Sequence, residues 1–439
     1  MFEIDPEQIK FYLESFLNIF KTWFWVLLPF LLWKPFSFMY LWWRNEVFDS
    51  KIKKVLLEIR IPKEVLKPMR AMETVIAGIY QVLYDPPDKW EKWVEGKFQV
   101  SASLEMVSID GIPHFFIRIP KAIKDSIEAV IYAQYPEAEI TESPDYTKFI
   151  PADIPNKEWT LWGDNYTLLK RDAYPIKTYK DFETEHEVLE EKKIDPLSAL
   201  LEGFNQIHEG EQIWIQIIIA PLEGGNYWKE KGQKLKDELA RRPKKAEVRN
   251  KAMLIEAADL LISGTPPTGP IKEEVEEEGI IPPEMKLTPG ERQILSAVEN
   301  KISKIGLRTN IRFLYLGKRK SFFKARLRLV FGFFGSFTSV DLNALKPMGQ
   351  PTITKIKGSF IPFVNYLKPR RLYIRQRKLF RNYTKRVTPF YPHPGGTYIL
   401  SIEELATLFH FPGKDVTPAP FIERVESKKK RPPLNLPTK

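Results

Sequence analysis

Short stretches of alternating hydrophobic and polar residues take turns with stretches of helical period, and their order is informative. Lys54–Ile61 (KVLLEIRI) alternates and is rich in branched residues, so it predicts a strand. Ala71–Leu83 carries apolar residues at 72, 75, 76, 79, 80 and 83, which is helical spacing. Phe98–Ser108 alternates again, Asp110-Gly111 is a hairpin turn signal, and His114–Ile119 is the returning strand. Lys121–Tyr135 has one apolar helical face, ended by Pro136, and Ala138–Glu142 is a last strand. The order β-α-β-β-α-β is the ferredoxin-like arrangement, which hosts many functions and names none.

The second half repeats the theme less regularly. Trp159–Leu169 predicts a strand or a hairpin around Gly163-Asp164-Asn165. Pro196–His208 reads as a helix capped by Asp195, Gln212–Ala220 as a buried strand and Tyr227–Arg241 as a charged helix. Ala246–Ile262 is a further candidate helix. Ser263–Gly290 reads as a disordered linker, with TPPTGP, then Glu273-Glu274-Val275-Glu276-Glu277-Glu278, then Pro282-Pro283. Glu291–Ile305 resumes helix, Arg308–Leu316 is a strand, and Ser321–Phe334 is an amphipathic helix with Phe323, Leu327, Val330, Phe331 and Phe334 as its stripe. These elements suggest a second ferredoxin-like unit, interrupted by a helical insertion and the acidic linker.

The N-terminus follows neither period. Thr22–Trp43 is a 22-residue run with one charge, Lys34, and ten aromatic residues. As a helix it would be about 33 Å long, enough for a ~30 Å hydrocarbon core. Trp23 and Trp25 sit near one end and Trp42 and Trp43 at the other, as interface belts would. Pro29, Lys34 and Pro35 interrupt the run, and Phe16–Trp33 is an alternative span with 36–43 lying in the interface. The start is acidic (Glu3, Asp5, Glu7) with no small-residue cleavage site, which argues against a signal peptide. Arg44, Lys51, Lys53, Lys54, Arg60 and Lys63 follow the run, so a single-pass protein of the inner (plasma) membrane is expected, with the bulk of the chain cytoplasmic.

Composition sharpens this reading. The chain has 439 residues, a net charge of +11 and no cysteine. The length predicts two or three domains, and the missing thiols exclude disulfides, thiolate metal sites and a cysteine nucleophile. The charge is uneven. Residues 301–439 hold 29 Lys+Arg against 6 Asp+Glu, whereas the first 300 hold 38 against 50. An anionic partner for the C-terminal third is expected: nucleic acid, lipid or an acidic protein face.

No Walker A loop, G-x-G-x-x-G, G-x-S-x-G or H-E-x-x-H occurs, and five histidines are too scattered to name a metal site. No catalytic residue, metal or cofactor is predicted, and the expectation is a non-enzyme. The sharpest chemical signal is Lys368–Arg386 (KPRRLYIRQRKLFRNYTKR), with nine basic residues in 19 and no acid. Arg370, Arg371, Arg375, Arg377, Lys378, Arg381, Lys385 and Arg386 are the candidate anion-binding residues. Tyr373, Phe380 and Tyr383 are interleaved as rings that could stack on bases. The same stretch also fits anionic headgroups, or a surface whose aromatics are core.

Several stretches resemble the N-terminal region of bacterial type IV secretion, conjugation-type DNA-transfer ATPases of the FtsK/HerA class. They are Leu56 to Pro62 (LLEIRIP), Lys67 to Glu73 (KPMRAME), Ile131 to Pro136 (IYAQYP) with Ala138-Glu139-Ile140, Phe337 to Pro347 (FTSVDLNALKP), Ile399 to Pro412 (ILSIEELATLFHFP), Arg424 to Lys429 and Pro432 to Pro437 (PPLNLP). The resemblance covers most of 50–437. It implies a membrane anchor and an α/β region that precede a motor. The chain stops at Lys439, where that motor would begin, so no ATP-binding residue carries over. The resemblance implies either a separately encoded P-loop ATPase partner or a truncated or degenerate copy of such a protein, with DNA as a further candidate partner. Self-association is left open. For Glu403-Glu404-Leu405-Ala406-Thr407 the residues themselves favour a short helix capped by Ser401, with Leu405, Leu408 and Phe409 as core.

The expected fold class is α+β. It comprises a transmembrane anchor (1–49), a ferredoxin-like domain (50–150), the first part of a second α+β domain (151–262), the acidic linker (263–290), the basic second part (291–398), and a junction segment with a basic, Pro-rich tail (399–439). The expected function is to dock a motor and contact DNA. The alternative is a stand-alone membrane-tethered protein that binds nucleic acid or anionic lipid.

Overall fold

The computed structural model describes residues 6–60, 69–182, 195–222, 226–242, 287–349, 352–356, 358, 365–387 and 396–412. The expected helix 246–262, most of the acidic linker and the tail beyond 412 lie outside them, as do His186 and His393. The fold is mixed α+β, as expected. The chain forms two compact units: residues 1–54 with 85–100, and residues 55–84 with 101–439.

In the first unit, α1 (Pro6–Lys51) runs for 46 residues through Pro29 and Pro35. At ~1.5 Å per residue it is about 69 Å long. Among the described residues no helix is long and apolar enough to cross a membrane. The expected full crossing is therefore unsupported. The run spends ten positions on aromatics, many of them amphipathic Trp and Tyr, and holds Lys34 at its centre. The side chains at 24–27, 30 and 31, in the apolar middle of that run, lie outside the described residues.

The second unit is built on one nine-stranded sheet. Its strands are β1 (Lys54–Arg60), β2 (Ala102–Ile109), β3 (Ile112–Pro120), β4 (Glu139–Ser143), β5 (Trp159–Leu168), β6 (Glu211–Pro221), β7 (Gly306–Lys318), β8 (Leu345–Pro347) and β9 (Tyr398–Ser401). The order is β4-β1-β3-β2-β6-β7-β5-β8, with β9 on β7. Each half thus places its strands fourth, first, third, second, and the halves meet at an antiparallel seam. At that seam Ala102 faces Ile219 and Ile109 faces Gln212. The β2–β3 turn uses Asp110 and Gly111, both at positive φ (50° and 89°), as a two-residue hairpin of the primed type requires. Trp159–Leu168 is one continuous strand, not a hairpin.

One face of the sheet carries the larger core. Against it lie α2 (Arg70–Leu83), α3 (Lys124–Gln134), α4 (Pro196–Asn205), α7 (Leu327–Ser336) and α9 (Ile402–Leu408). Their periodic positions, such as Val75, Ile79, Leu200, Phe204, Val330 and Phe334, are fully buried. Asp195 caps α4 through the Leu197 N–H at 2.7 Å. Between α4 and α7 come α5 (Asn226–Leu239) and α6 (Pro289–Ser303), which pack through Trp228, Leu235, Val298 and Ile302. The second face is covered by α8 (Lys368–Lys385) and the segment 146–154.

α9 matches its sequence reading. Ser401 and Glu404 form a reciprocal capping box, and Leu405, Leu408 and Phe409 are fully buried. Glu404 also pairs with the buried Lys301 at 3.0 Å.

Candidate functional site: the basic helix and its seat

The basic stretch is helical because its apolar residues recur every three or four positions. Gln376, Leu379, Phe380 and Tyr383 are buried on one side of α8. Leu379, Phe380 and Tyr383 join Trp214 of β6 and Leu314 and Leu316 of β7 in the second core. Trp214 lies 5.2 Å from the Tyr383 ring and 6.3 Å from the Phe380 ring. Gln376 Nε2 donates to the Leu161 carbonyl at 2.7 Å. Phe380 and Tyr383 are therefore core, and they offer no ring to a base. Tyr373 stays exposed, with the Arg377 guanidinium 5.6 Å from its ring and donating to its hydroxyl at 2.9 Å.

The cations sort by the same period. Arg370, Arg371, Arg377, Lys378, Arg381 and Lys385 are exposed, on the side opposite the core contacts. Arg375 is half-buried, donates to the Ile353 carbonyl at 3.4 Å, and lies near Asp164. Arg386 departs from the expectation. It is buried and caps the helix at φ 53°, so it is not available to an outside anion.

Arg386 instead closes a buried network at the seam. Its Nε donates to Glu105 Oε1 at 2.9 Å, and Nη2 donates to Oε2 at 3.1 Å and to Asp145 Oδ1 at 3.0 Å. Glu105 also accepts from Ser103 Oγ (2.6 Å), Tyr146 Oη (2.7 Å) and Gln216 Nε2 (2.9 Å). The Tyr146 and Tyr383 hydroxyls meet at 2.8 Å. Burial alone would raise the Glu105 carboxyl, but the Arg386 charge and these donors hold it below the usual carboxylate range.

The network extends as a polar row across four strands. In register, Glu105 faces Gln216, Gln216 faces Arg312, and Arg312 faces Asn165. Arg312 is fully buried, with Asn310 Oδ1 at 2.7 Å and the Val387 carbonyl as acceptors. Burial pulls its guanidinium down to about 9. β6 is buried at every position, so its apolar pattern cannot set a register. A one-residue slip would drive this polar row into the larger core, which fixes the pairing.

Sequence reasoning missed Glu105 and the row. The available signal was Glu105 itself, inside an alternating strand and in phase with Val107. A carboxylate there needs a buried cation, and the basic third supplies one.

Of the membrane-interface candidates, Trp23, Trp42 and Trp43 are exposed on α1, and the Trp25 side chain lies outside the described residues. A cavity of about 610 Å³ lined by Arg70, Glu73, Thr74, Tyr179, Lys180 and Lys304 opens beside α2 and α9. Three of its lining charges are paired: Lys304 with Glu73 at 3.0 Å and with Glu403, and Lys180 with Glu403 at 3.2 Å. Among the described residues no group of His, Asp or Glu is arranged to hold a metal ion.

A family profile described as a domain of unknown function, DUF8128, matches residues 44–418. That span starts inside α1 and takes in the whole sheet, α8 and α9. No curated protein matches the chain. The chain belongs to the DUF8128 domain-of-unknown-function family.

Proposed function

We propose that the chain is a non-catalytic, membrane-attached scaffold that contacts DNA through α8 and docks a separately encoded P-loop motor. The observation that carries the DNA contact is the exposed face of α8. One side of the helix is fixed in a core, which leaves Arg370, Arg371, Arg377, Lys378 and Arg381 facing solvent. Eighteen residues make a rod of about 27 Å, long enough to follow roughly eight phosphates along one strand. Two ferredoxin-like halves serve as its rigid base. The motor partner and the inner-membrane location, with the bulk of the chain cytoplasmic, come from the resemblance to type IV secretion ATPases and from the aromatic run of α1.

DNA affinity of the detergent-solubilised full chain, measured against salt, tests the contact. Replacing Arg370, Arg371, Arg377, Lys378 and Arg381 with Gln is expected to lower the log–log salt slope by up to about 4.5, near 0.9 per phosphate contact. An unchanged slope overturns the assignment of α8. Co-purification from native membranes tests the motor: a stoichiometric P-loop ATPase supports docking. Its absence, with DNA binding intact, leaves a stand-alone tethered binding protein.

A further inference from the structure

Residues 85–98 (DPPDKWEKWVEGKF) carry two tryptophans three positions apart, Trp90 and Trp93. They form a π-helical turn over Glu91–Glu95. Asp88 and Glu91 cap it reciprocally, at 2.7 Å and 3.0 Å. Gly96 ends it at φ 76°, where a Cβ would lie 2.4 Å from the Arg44 carbonyl oxygen of α1. Only glycine lets the turn lie so close to the helix.

The turn is fastened to the lower part of α1. Tyr40 stacks on Trp93 at 6.3 Å and donates to its carbonyl at 3.1 Å. Arg44 donates to the Val94 carbonyl and sits 5.7 Å from the Trp43 ring. Phe48 meets Phe98 edge-on at 6.0 Å. The product is a collar that still exposes Phe36 (62%), Trp43 (56%) and Trp90 (67%).

Exposed charges on the collar are mostly cationic. Asp49 is held by Lys54 at 2.6 Å, and Lys97 holds Asp85 and Glu91 at 3.1 and 2.9 Å. Asp88 is spent on the cap. Lys51, Lys53, Lys89 and Lys92 face solvent, against Glu46 and Glu95. Exposed indole rings with a cationic surround fit the boundary between anionic headgroups and acyl chains.

We infer that residues 85–98, with Tyr40 and Trp43, form a seat for the base of α1 in the headgroup layer of an anionic bilayer. The inference rests on the membrane attachment proposed above, and it adds Trp90 and Trp93 to the contact surface.

The missing cysteines make the test direct, because any introduced thiol is unique. Val94→Cys in the collar and Leu32→Cys on α1 each receive a fluorophore in the full chain. The chain is then placed in phosphatidylcholine–phosphatidylglycerol vesicles carrying nitroxides at the headgroup or deep in the acyl chain. The Val94→Cys label is expected to be quenched at least about twofold more by the headgroup nitroxide than by the deep one, as an interface position requires. Quenching at Leu32→Cys with none at Val94→Cys overturns the seat and leaves membrane attachment standing. No quenching at either position overturns both. A collar label shielded from aqueous iodide yet untouched by lipid nitroxide overturns it in favour of a second copy of the chain.

Discussion

The two halves of the sheet place their strands in the same order and treat their second faces differently. In the first half that face is small. Tyr146 stacks on Phe116 at 5.1 Å, and the partly exposed His114 pairs with Glu58 at 2.8 Å. In the second half the face carries an 18-residue helix, whose core reaches across the seam to Leu56, Val107, Phe116 and Tyr146 of the first half. Yet the ion pair that seats this helix comes from across the seam, since Glu105 and Asp145 belong to the first half and Arg386 to the second. A repeated scaffold can thus gain a charged working surface on one half and use the other as its anchor.

The comparison can be broken most severely at Glu105. Glu105→Ala leaves Arg386 buried with only Asp145 as a carboxylate partner, so a loss of about 3–5 kcal/mol is expected in urea unfolding. The same variant should open α8 to trypsin while the first-half helices α2 and α3 stay protected. Gly163→Ala attacks the close approach of α8 to β5. The new Cβ would lie 2.3 Å from the Phe313 carbonyl oxygen and 3.0 Å from Leu379 Cδ2. Overpacking of that kind costs about 1–3 kcal/mol.

Asp164 sharpens the comparison through pH. It is fully buried and accepts from Thr352 Oγ1 at 2.6 Å and the Gly349 N–H at 3.0 Å. Burial nevertheless raises its carboxyl to about 6 from the ordinary 3.8. The folded state then holds a proton that the unfolded chain has released. The contribution of Asp164 to stability is greatest below about pH 4 and falls by about 2–3 kcal/mol as pH rises through 6. Asp164→Asn should flatten that slope in unfolding series between the two pH values. The smallest effect is expected in the first half. The His114 hydrogen bond, working against partial burial, lowers the Glu58 carboxyl, so its contribution is present above the ordinary carboxylate range and lost on acidification. At neutral pH, Glu58→Gln should cost less than about 1 kcal/mol, because the pair is partly solvated.

Much of the architecture was legible because it rests on local period. The elements of the first half, the capped α9 and the interrupted second half follow from spacing, turn residues and caps. The seam was not legible. A mostly apolar strand such as β6, buried at every position, says that it is covered on both faces without naming its neighbours. The basic stretch was legible as charge but not as geometry. Nine cations drew attention away from Gln376, Leu379, Phe380 and Tyr383, whose helical spacing divides the stretch into a seat and a surface. Arg386 looked like its neighbours in sequence, and only its left-handed cap conformation and its distant carboxylate set it apart.

The β2–β6 seam has a further consequence for how such a chain can be divided. Two edge strands that zip together over eight paired positions amount to a dimer interface carried within one polypeptide. A cut between Ser143 and Trp159 should therefore yield two fragments that recognise each other. Each fragment alone should aggregate through its bare edge, and together they should reassemble a soluble sheet. The polar row would act as the key that rejects every misaligned reunion.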